Sequence, residues 1–274
     1  MQTTLLRFLS RSTPIQYHTC LMSSATAAAA PTAVSSPAGT TMYQLFDGKG
    51  ENEGGSSTFT YLLVCDSTKE CLLIDPVLEQ VGRDTTMIES MGLSLRYALN
   101  THCHADHITG SGKLKERFTD AQSCISAASG AKADVQLSDN QIIEWGKDHS
   151  LQVLATPGHT AGCISFHDAT LSSVFTGDAL MIGGCGRTDF QEGDSNVLYE
   201  SVHTRLFNGL APETTVYPGH DYKGNTSSTV GAEKETNPRL SKSKEEFIDI
   251  MKNLNLSYPG KLEVAVPANM QCGV

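Results

Sequence analysis

The segment Thr101-His102-Cys103-His104-Ala105-Asp106-His107 decides how this chain is read. Histidine is scarce, 9 among 274 residues, yet three lie within residues 102–107 beside an aspartate. An apolar, β-rich run at 95–100 precedes the segment and a helical pattern at 108–118 follows it. In extended backbone, positions two apart face the same way, so His102, His104 and Asp106 should converge on one side. His107 should then open the helix and turn back toward the same point, while Cys103 points away. Neutral imidazoles with a carboxylate suit zinc, iron, manganese or copper rather than calcium or magnesium.

Further candidate ligands stand at the ends of strand-like runs. His159 lies in T-P-G-H-T-A-G, where Pro157 and Gly158 force a turn that exposes the ring. Asp178 lies in F-T-G-D-A, just past a β-rich run, and His220 lies in Y-P-G-H-D-Y. Together with the first motif they supply the pieces of a metal centre on loops at one sheet edge. Asp75 ends C-L-L-I-D-P. It reads equally as an outer-sphere carboxylate that orients a ligand imidazole and as a turn-starting aspartate before Pro76. His18, His149, His167 and His203 have no such context.

Around these motifs, strand and helix signals interleave. Strand patterns fall at 58–65, 71–75, 95–100, 141–145, 151–155, 163–167 and 173–176. Helical patterns fall at 83–91, 108–118, 197–207, 229–235 and 244–254. This order predicts one layered α/β domain with two sheets or mixed sheets, without internal repeats.

Composition narrows the function classes. Hydrophobic residues make up 39% and charged residues 18%, a globular balance. The net charge of −10 disfavours a nucleic-acid partner, which would need basic surface to meet phosphates. No apolar run reaches the roughly 18 residues of a membrane-spanning helix, and no membrane partner is expected. The eight cysteines are spread along the chain with no C-x-x-C pair, which predicts reduced, mostly buried thiols. Residues 1–46 contain neither Asp nor Glu but carry Arg7 and Arg11 among Leu, Phe, Ser and Thr. That pattern predicts an organellar transit peptide, followed at 23–41 by an Ala/Ser/Thr/Pro linker. Transit peptide and linker are thus assigned to 1–41 and the folded domain to 42–274.

The run T-H-x-H-x-D-H, followed in order by His159, Asp178 and His220, resembles the metallo-β-lactamase superfamily over 42–274. That resemblance implies an αββα sandwich, two mixed sheets flanked by helices, with the metal at one edge. Five further stretches are similar to the mitochondrial persulfide dioxygenases, also called sulfur dioxygenases. They are G-C-G-R-T-D-F-Q (184–191), Y-P-G-H-D-Y (217–222), N-P-R-L (237–240), N-L-N-L-S-Y-P (253–259) and V-P-A-N-M (266–270).

This second resemblance implies oxidation of glutathione persulfide by O2 to sulfite and glutathione in the mitochondrial matrix. It implies one Fe(II) per chain, held by His102, His159 and Asp178. His104, Asp106, His107 and His220 then become outer-sphere residues around a second metal site. Arg187 and Tyr222 are the implied binders of the glutathione portion, with Asn269 and Met270 completing the pocket. A homodimer is left open. Gly219 departs from the family, in which alanine is common at that place.

Two other readings compete. Glyoxalase II, a thioester hydrolase of the same fold, would use the whole ligand set for two metals and a bridging hydroxide. Only 54 residues follow His220, short for the helical domain with which that hydrolase grips glutathione. A non-catalytic metal-binding platform is the third reading, and the intact ligand set speaks against it.

Overall fold

The computed structural model describes residues 32–36, 39–48 and 55–274. The transit-peptide reading of residues 1–31 lies outside the described residues. Among the described residues the strands form two mixed sheets. The first runs β1 (Thr32–Ser35), β2 (Thr40–Phe46), β3 (Phe59–Cys65), β4 (Glu70–Ile74), β5 (Ser94–Leu99), β6 (Gln122–Ser126) and β7 (Val135–Leu137). It is antiparallel from β1 to β4 and parallel from β4 to β7. The β4–β5 and β5–β6 steps are crossed by α1 (Val81–Ser90) and α2 (Ser111–Arg117), while residues 127–134 make the β6–β7 crossing.

The second sheet contains β8 (Ile142–Trp145), β9 (His149–Ala155), β10 (Ile164–Asp168), β11 (Ser173–Gly177), β12 (Thr215–Pro218) and β13 (Ser228–Thr229). Its one parallel step, β11 to β12, is crossed by α3 (Ser195–Ser201), which continues as a π-helical stretch to Phe207. The helices α4 (Val230–Thr236), α5 (Lys244–Lys252) and α6 (Leu262–Asn269) complete the chain.

Side-chain alternation sets the layers. Tyr61, Leu63 and Cys65 of β3 face the second sheet and pack with Leu151, Phe166 and Phe175. Leu62 and Val64 face the other way, onto Ile88 of α1 and Leu114 of α2. The outer face of the second sheet, Val174 and Val216, is covered by Leu198, Leu206 and Phe247. Both faces of the central strands of each sheet are therefore buried, the αββα sandwich that the motif order implies. Phe166 and Phe175 are fully enclosed between the sheets, and truncating either to alanine should cost about 3–5 kcal/mol.

Several boundaries differ from the sequence reading, each for a physical reason. The strand β2 begins at Thr40 and Thr32–Ser35 pairs with it, so the described end of the 1–41 stretch belongs to the sheet rather than to a linker. The helix expected at 108–118 starts at Ser111. The Thr109 N–H bonds the Asn269 side chain and the Ile108 carbonyl bonds Leu78 N, which withdraws both from a helix. The 262–269 helix was not expected because Pro267 lies inside it. The seven described cysteines are all free and six are buried. No described helix is long and apolar enough to cross a membrane.

Candidate metal centre

The loops that leave β4, β5, β9, β11 and β12 meet at one edge of the sandwich and carry Asp75, residues 101–107, His159, Asp178 and His220 respectively. One donor atom from each of His102, His159 and Asp178 lies within 4.8 Å of the others. A second trio, His104, Asp106 and His107, meets the same criterion. The 101–107 segment is irregular rather than extended. It therefore divides its side chains between two groups instead of lining them along one face, and His107 sits in a loop rather than at a helix start.

Hydrogen bonds orient each side chain of the first trio. Asp75 is buried and accepts from Thr101 N at 2.7 Å and from Thr101 Oγ1 at 2.8 Å. Having donated its proton to Asp75, the Thr101 hydroxyl accepts from His102 Nδ1 at 3.0 Å. The His102 Nε2 lone pair is left for a metal. His159 Nδ1 donates to the Arg187 carbonyl at 2.6 Å, which frees its Nε2 in the same way. That Nε2 lies 3.6 Å from Asp178 Oδ2. The other Asp178 oxygen, Oδ1, accepts from His220 Nδ1 at 2.6 Å.

Electrostatics agree with this division. Burial lowers the His102 pKa well below the ordinary value, and His104 and His159 add to the effect, so the ring is neutral. Burial opposes a charge on Asp178, but the His220 imidazole outweighs it and holds the carboxyl well below the usual range. Burial likewise opposes a charge on His220, and Asp178 and Asp106 overcome it, raising its pKa well above the ordinary value.

In the second trio, Asp106 Oδ2 accepts from His107 Nδ1 and His220 Nε2, each at 2.9 Å, while His104 Nε2 reaches Asp75 Oδ1 at 3.1 Å. His104 Nδ1 and His107 Nε2 are buried without a partner. Buried imidazole nitrogens left unpaired in this way fit a bound cation or its water ligands. Two glycines give the cluster room. A Cβ at Gly186 would meet His159 Nδ1 at 2.6 Å and Asp178 Cβ at 2.9 Å. At Gly219 a Cβ would lie 2.9 Å from Asp178 Oδ1.

A cavity of about 500 Å³ opens beside His159 and Asp178. Its wall includes Tyr222, which is 71% exposed and stacks parallel to the His220 ring at 6.1 Å. Three cations line it: Arg187, Lys223 and Arg239. The Arg187 fork is bound within the chain, to both oxygens of Asp189 and to the Ser257 carbonyl. The expected carboxylate pairing of Arg187 is thus made with Asp189.

Asn269 and Met270 lie behind the ligands, and among the described residues neither lines this cavity. Asn269 bonds His104 O, His107 O and Thr109 N, which clamps the ligand loop. Met270 packs with Cys103, Ile125 and Ala131, and Cys103 does face away from the metal-binding atoms. Sequence reasoning missed Glu233 and Asn237. Their side chains bond each other, Gly183 N and Gly184 O, so they fix the cavity wall ahead of Arg187. It also passed over Arg239 as an individual residue. Its place in N-P-R-L was the available signal.

Residues 54–220 match the metallo-beta-lactamase superfamily, whose fold and edge-on ligand loops are those described above. The chain is 53% identical to the human mitochondrial persulfide dioxygenase ETHE1 over 219 residues, which covers 80% of this chain and 85% of the human protein. It superposes on the crystal structure of ETHE1 from Myxococcus xanthus with a TM-score of 0.79 and 49% identity, covering 85% of this chain and 99% of that one. A hydroxyacylglutathione hydrolase of Cereibacter sphaeroides is more distant, 30% identical over 188 residues, 68% of this chain and 71% of the hydrolase. The chain belongs to the persulfide dioxygenase family within the metallo-β-lactamase superfamily.

Proposed function

We propose that this chain oxidises glutathione persulfide with O2 at one Fe(II) held by His102, His159 and Asp178. The observation that carries the reading is the trio itself. Two imidazoles present Nε2, their Nδ1 atoms being engaged, and a carboxylate presents one oxygen beside an open, cation-lined cavity. Two histidines and one carboxylate on one side of a metal are the ligand set of non-haem iron oxygenases. Iron(II) bound there would supply redox chemistry and free coordination positions for a soft sulfur anion and dioxygen.

The reaction balances as RSSH + O2 + H2O → RSH + SO3²⁻ + 2 H⁺. The S–S bond breaks, the outer sulfur is oxidised to sulfite, and both atoms of O2 are reduced. Around it, the residues of this chain bind and orient. His220 holds Asp178 Oδ1, so that Oδ2 remains turned toward the His159 ring. Lys223 and Arg239 face the cavity as partners for the carboxylates of a glutathione moiety, and the Tyr222 hydroxyl serves as a donor to it. Arg187 and Asp189 hold the wall against which that moiety rests. The relatives that carry this activity are named mitochondrial, which supports a matrix location for this chain as well.

The reading is tested on anaerobically purified protein supplied with glutathione persulfide. One sulfite formed per O2 consumed, with about one iron per chain, is the expected result. Zinc in the first trio, with no oxygen uptake after iron reconstitution, would overturn it.

A further inference from the structure

We infer that the Thr58 hydroxyl, inserted among Asp106, His107 and His220, limits this centre to a single metal ion. The inference rests on the reading of His102, His159 and Asp178 as the metal-binding set. The second trio offers His104 Nδ1 and His107 Nε2 unpartnered, together with the Asp106 carboxylate. Three protein donors suffice for an open site that water completes, so a second ion depends on whether Asp106 and the imidazole facing it are free to bind. The neighbouring imidazole that faces the trio is His220, and its Nε2 is already in hydrogen bonds, at 2.9 Å to Asp106 Oδ2 and 3.1 Å to Thr58 Oγ1.

Thr58 Oγ1 also lies 3.3 Å from both Asp106 Oδ2 and His107 Nδ1. One buried hydroxyl oxygen is therefore the shared acceptor of two imidazoles of the prospective second site, His107 Nδ1 and His220 Nε2, beside the carboxylate that both also meet. A second ion would have to pull Asp106 and His220 out of those bonds. A neutral hydroxyl is a poor ligand with which to replace them.

The chain holds this hydroxyl in place firmly. Thr58 is fully buried and forms an antiparallel bridge with His220, and the Phe59 N–H bonds the Gly219 carbonyl. Before it, Ser57 adopts a left-handed φ of 62°, which a residue with a side chain disfavours. The Asp47 carboxylate sustains that turn by accepting from Ser56 N, Ser56 Oγ and Thr58 N at 2.9, 2.6 and 3.0 Å. Because the Ser56 hydroxyl gives its proton to Asp47, its oxygen accepts the Thr58 proton across 2.6 Å. The lone pairs of Thr58 Oγ1 are then directed at His220 and His107.

The test is metal stoichiometry, read without turnover. Metal-stripped protein is titrated with Zn(II), and bound metal is counted by elemental analysis. In parallel, Co(II)-loaded samples are checked for magnetic coupling between two ions. Wild type and Thr58→Ser, which keeps the hydroxyl, should stop at one ion per chain. Thr58→Ala should take up a second, with affinity at the second site rising at least about tenfold. Thr58→Val keeps the β-branched bulk and removes only the hydrogen bonds, so it should shift in the same direction and stands in if the alanine variant does not fold. Two ions in wild type, or one ion in both Thr58→Ala and Thr58→Val, would overturn the inference. No uptake at all by wild type would remove the metal-site reading on which it rests.

Discussion

The guanidinium of Arg187 is gripped by both carboxylate oxygens of Asp189, Nε to Oδ1 and Nη2 to Oδ2, each at 2.7 Å. Its third nitrogen holds the Ser257 carbonyl at 2.6 Å, and the whole group lies over the Phe190 ring. Phe190 in turn meets Tyr258 edge-on. This assembly fastens the 256–260 segment, one wall of the cavity, to the loop that carries the His159 acceptor.

Arg187→Ala should therefore raise KM for glutathione persulfide about tenfold or more with bound metal unchanged. The same direction is expected, more weakly, for Asp189→Asn, which leaves the arginine in place but unmoored. Steady-state kinetics with metal analysis on both variants check this. An Asp189→Asn enzyme with wild-type KM would show that Arg187 acts on substrate directly rather than through the wall.

Removal of a proposed ligand should act differently. His159→Ala deletes one of the donors that face the cavity and should leave little metal bound. Cys103→Ser alters a side chain packed among Ile125, Ala131 and Met270 and should keep its metal, at a stability cost of about 1–2 kcal/mol for the buried hydroxyl. Elemental analysis and thermal unfolding of the two purified variants separate these effects.

Asp75 organises both trios, through Thr101 to His102 and directly to His104. In Asp75→Asn an amide NH2 replaces one acceptor, so the bonds to Thr101 and His104 cannot all be kept. Metal affinity should fall about 10–100-fold, the range found for supporting carboxylates. Competition with a metal-binding dye measures it. Unchanged affinity would reduce Asp75 to a turn residue.

Away from the centre, Asp168 at the end of β10 is buried with one oxygen unpartnered. Burial raises its pKa above the ordinary carboxylate value, against the opposing pull of the Thr170 and Leu171 N–H groups, His149 and His167. A raised carboxyl pKa contributes stability below the unfolded value and loses it as pH rises through the folded value. Asp168→Asn should therefore gain in Tm relative to wild type between pH 4 and pH 7. A gain that shrinks over that interval would contradict the assignment.

The clustering of the candidate metal-binding residues was legible in the sequence because their signals are local. The spacing of His102, His104, Asp106 and His107 is compressed into six residues, and His159, Asp178 and His220 each stand where a β-rich run meets a glycine. Asp75 has the geometry of both readings. It has a left-handed φ of 52° at the turn before Pro76, and it is also the carboxylate that orients Thr101 and His104. What stayed hidden depends on distant backbone partners. Asn269 serves carbonyls more than 160 positions earlier, Gln191 reaches the Cys103 carbonyl, and Thr58 touches His220 across 162 positions. No pattern within a window reports such pairs. The strand β6 was missed for another reason, since Q-S-C-I-S is too polar to read as the buried strand it is.

The most direct test sets the two chemistries of this fold against each other on one sample. Anaerobically purified, iron-loaded protein is placed in an oxygen electrode with glutathione persulfide and, separately, assayed for cleavage of S-lactoylglutathione. Oxygen consumption matched by sulfite, with negligible thioester cleavage and one iron per chain, is the predicted result. Rapid thioester cleavage with two metals per chain and no oxygen uptake would contradict it.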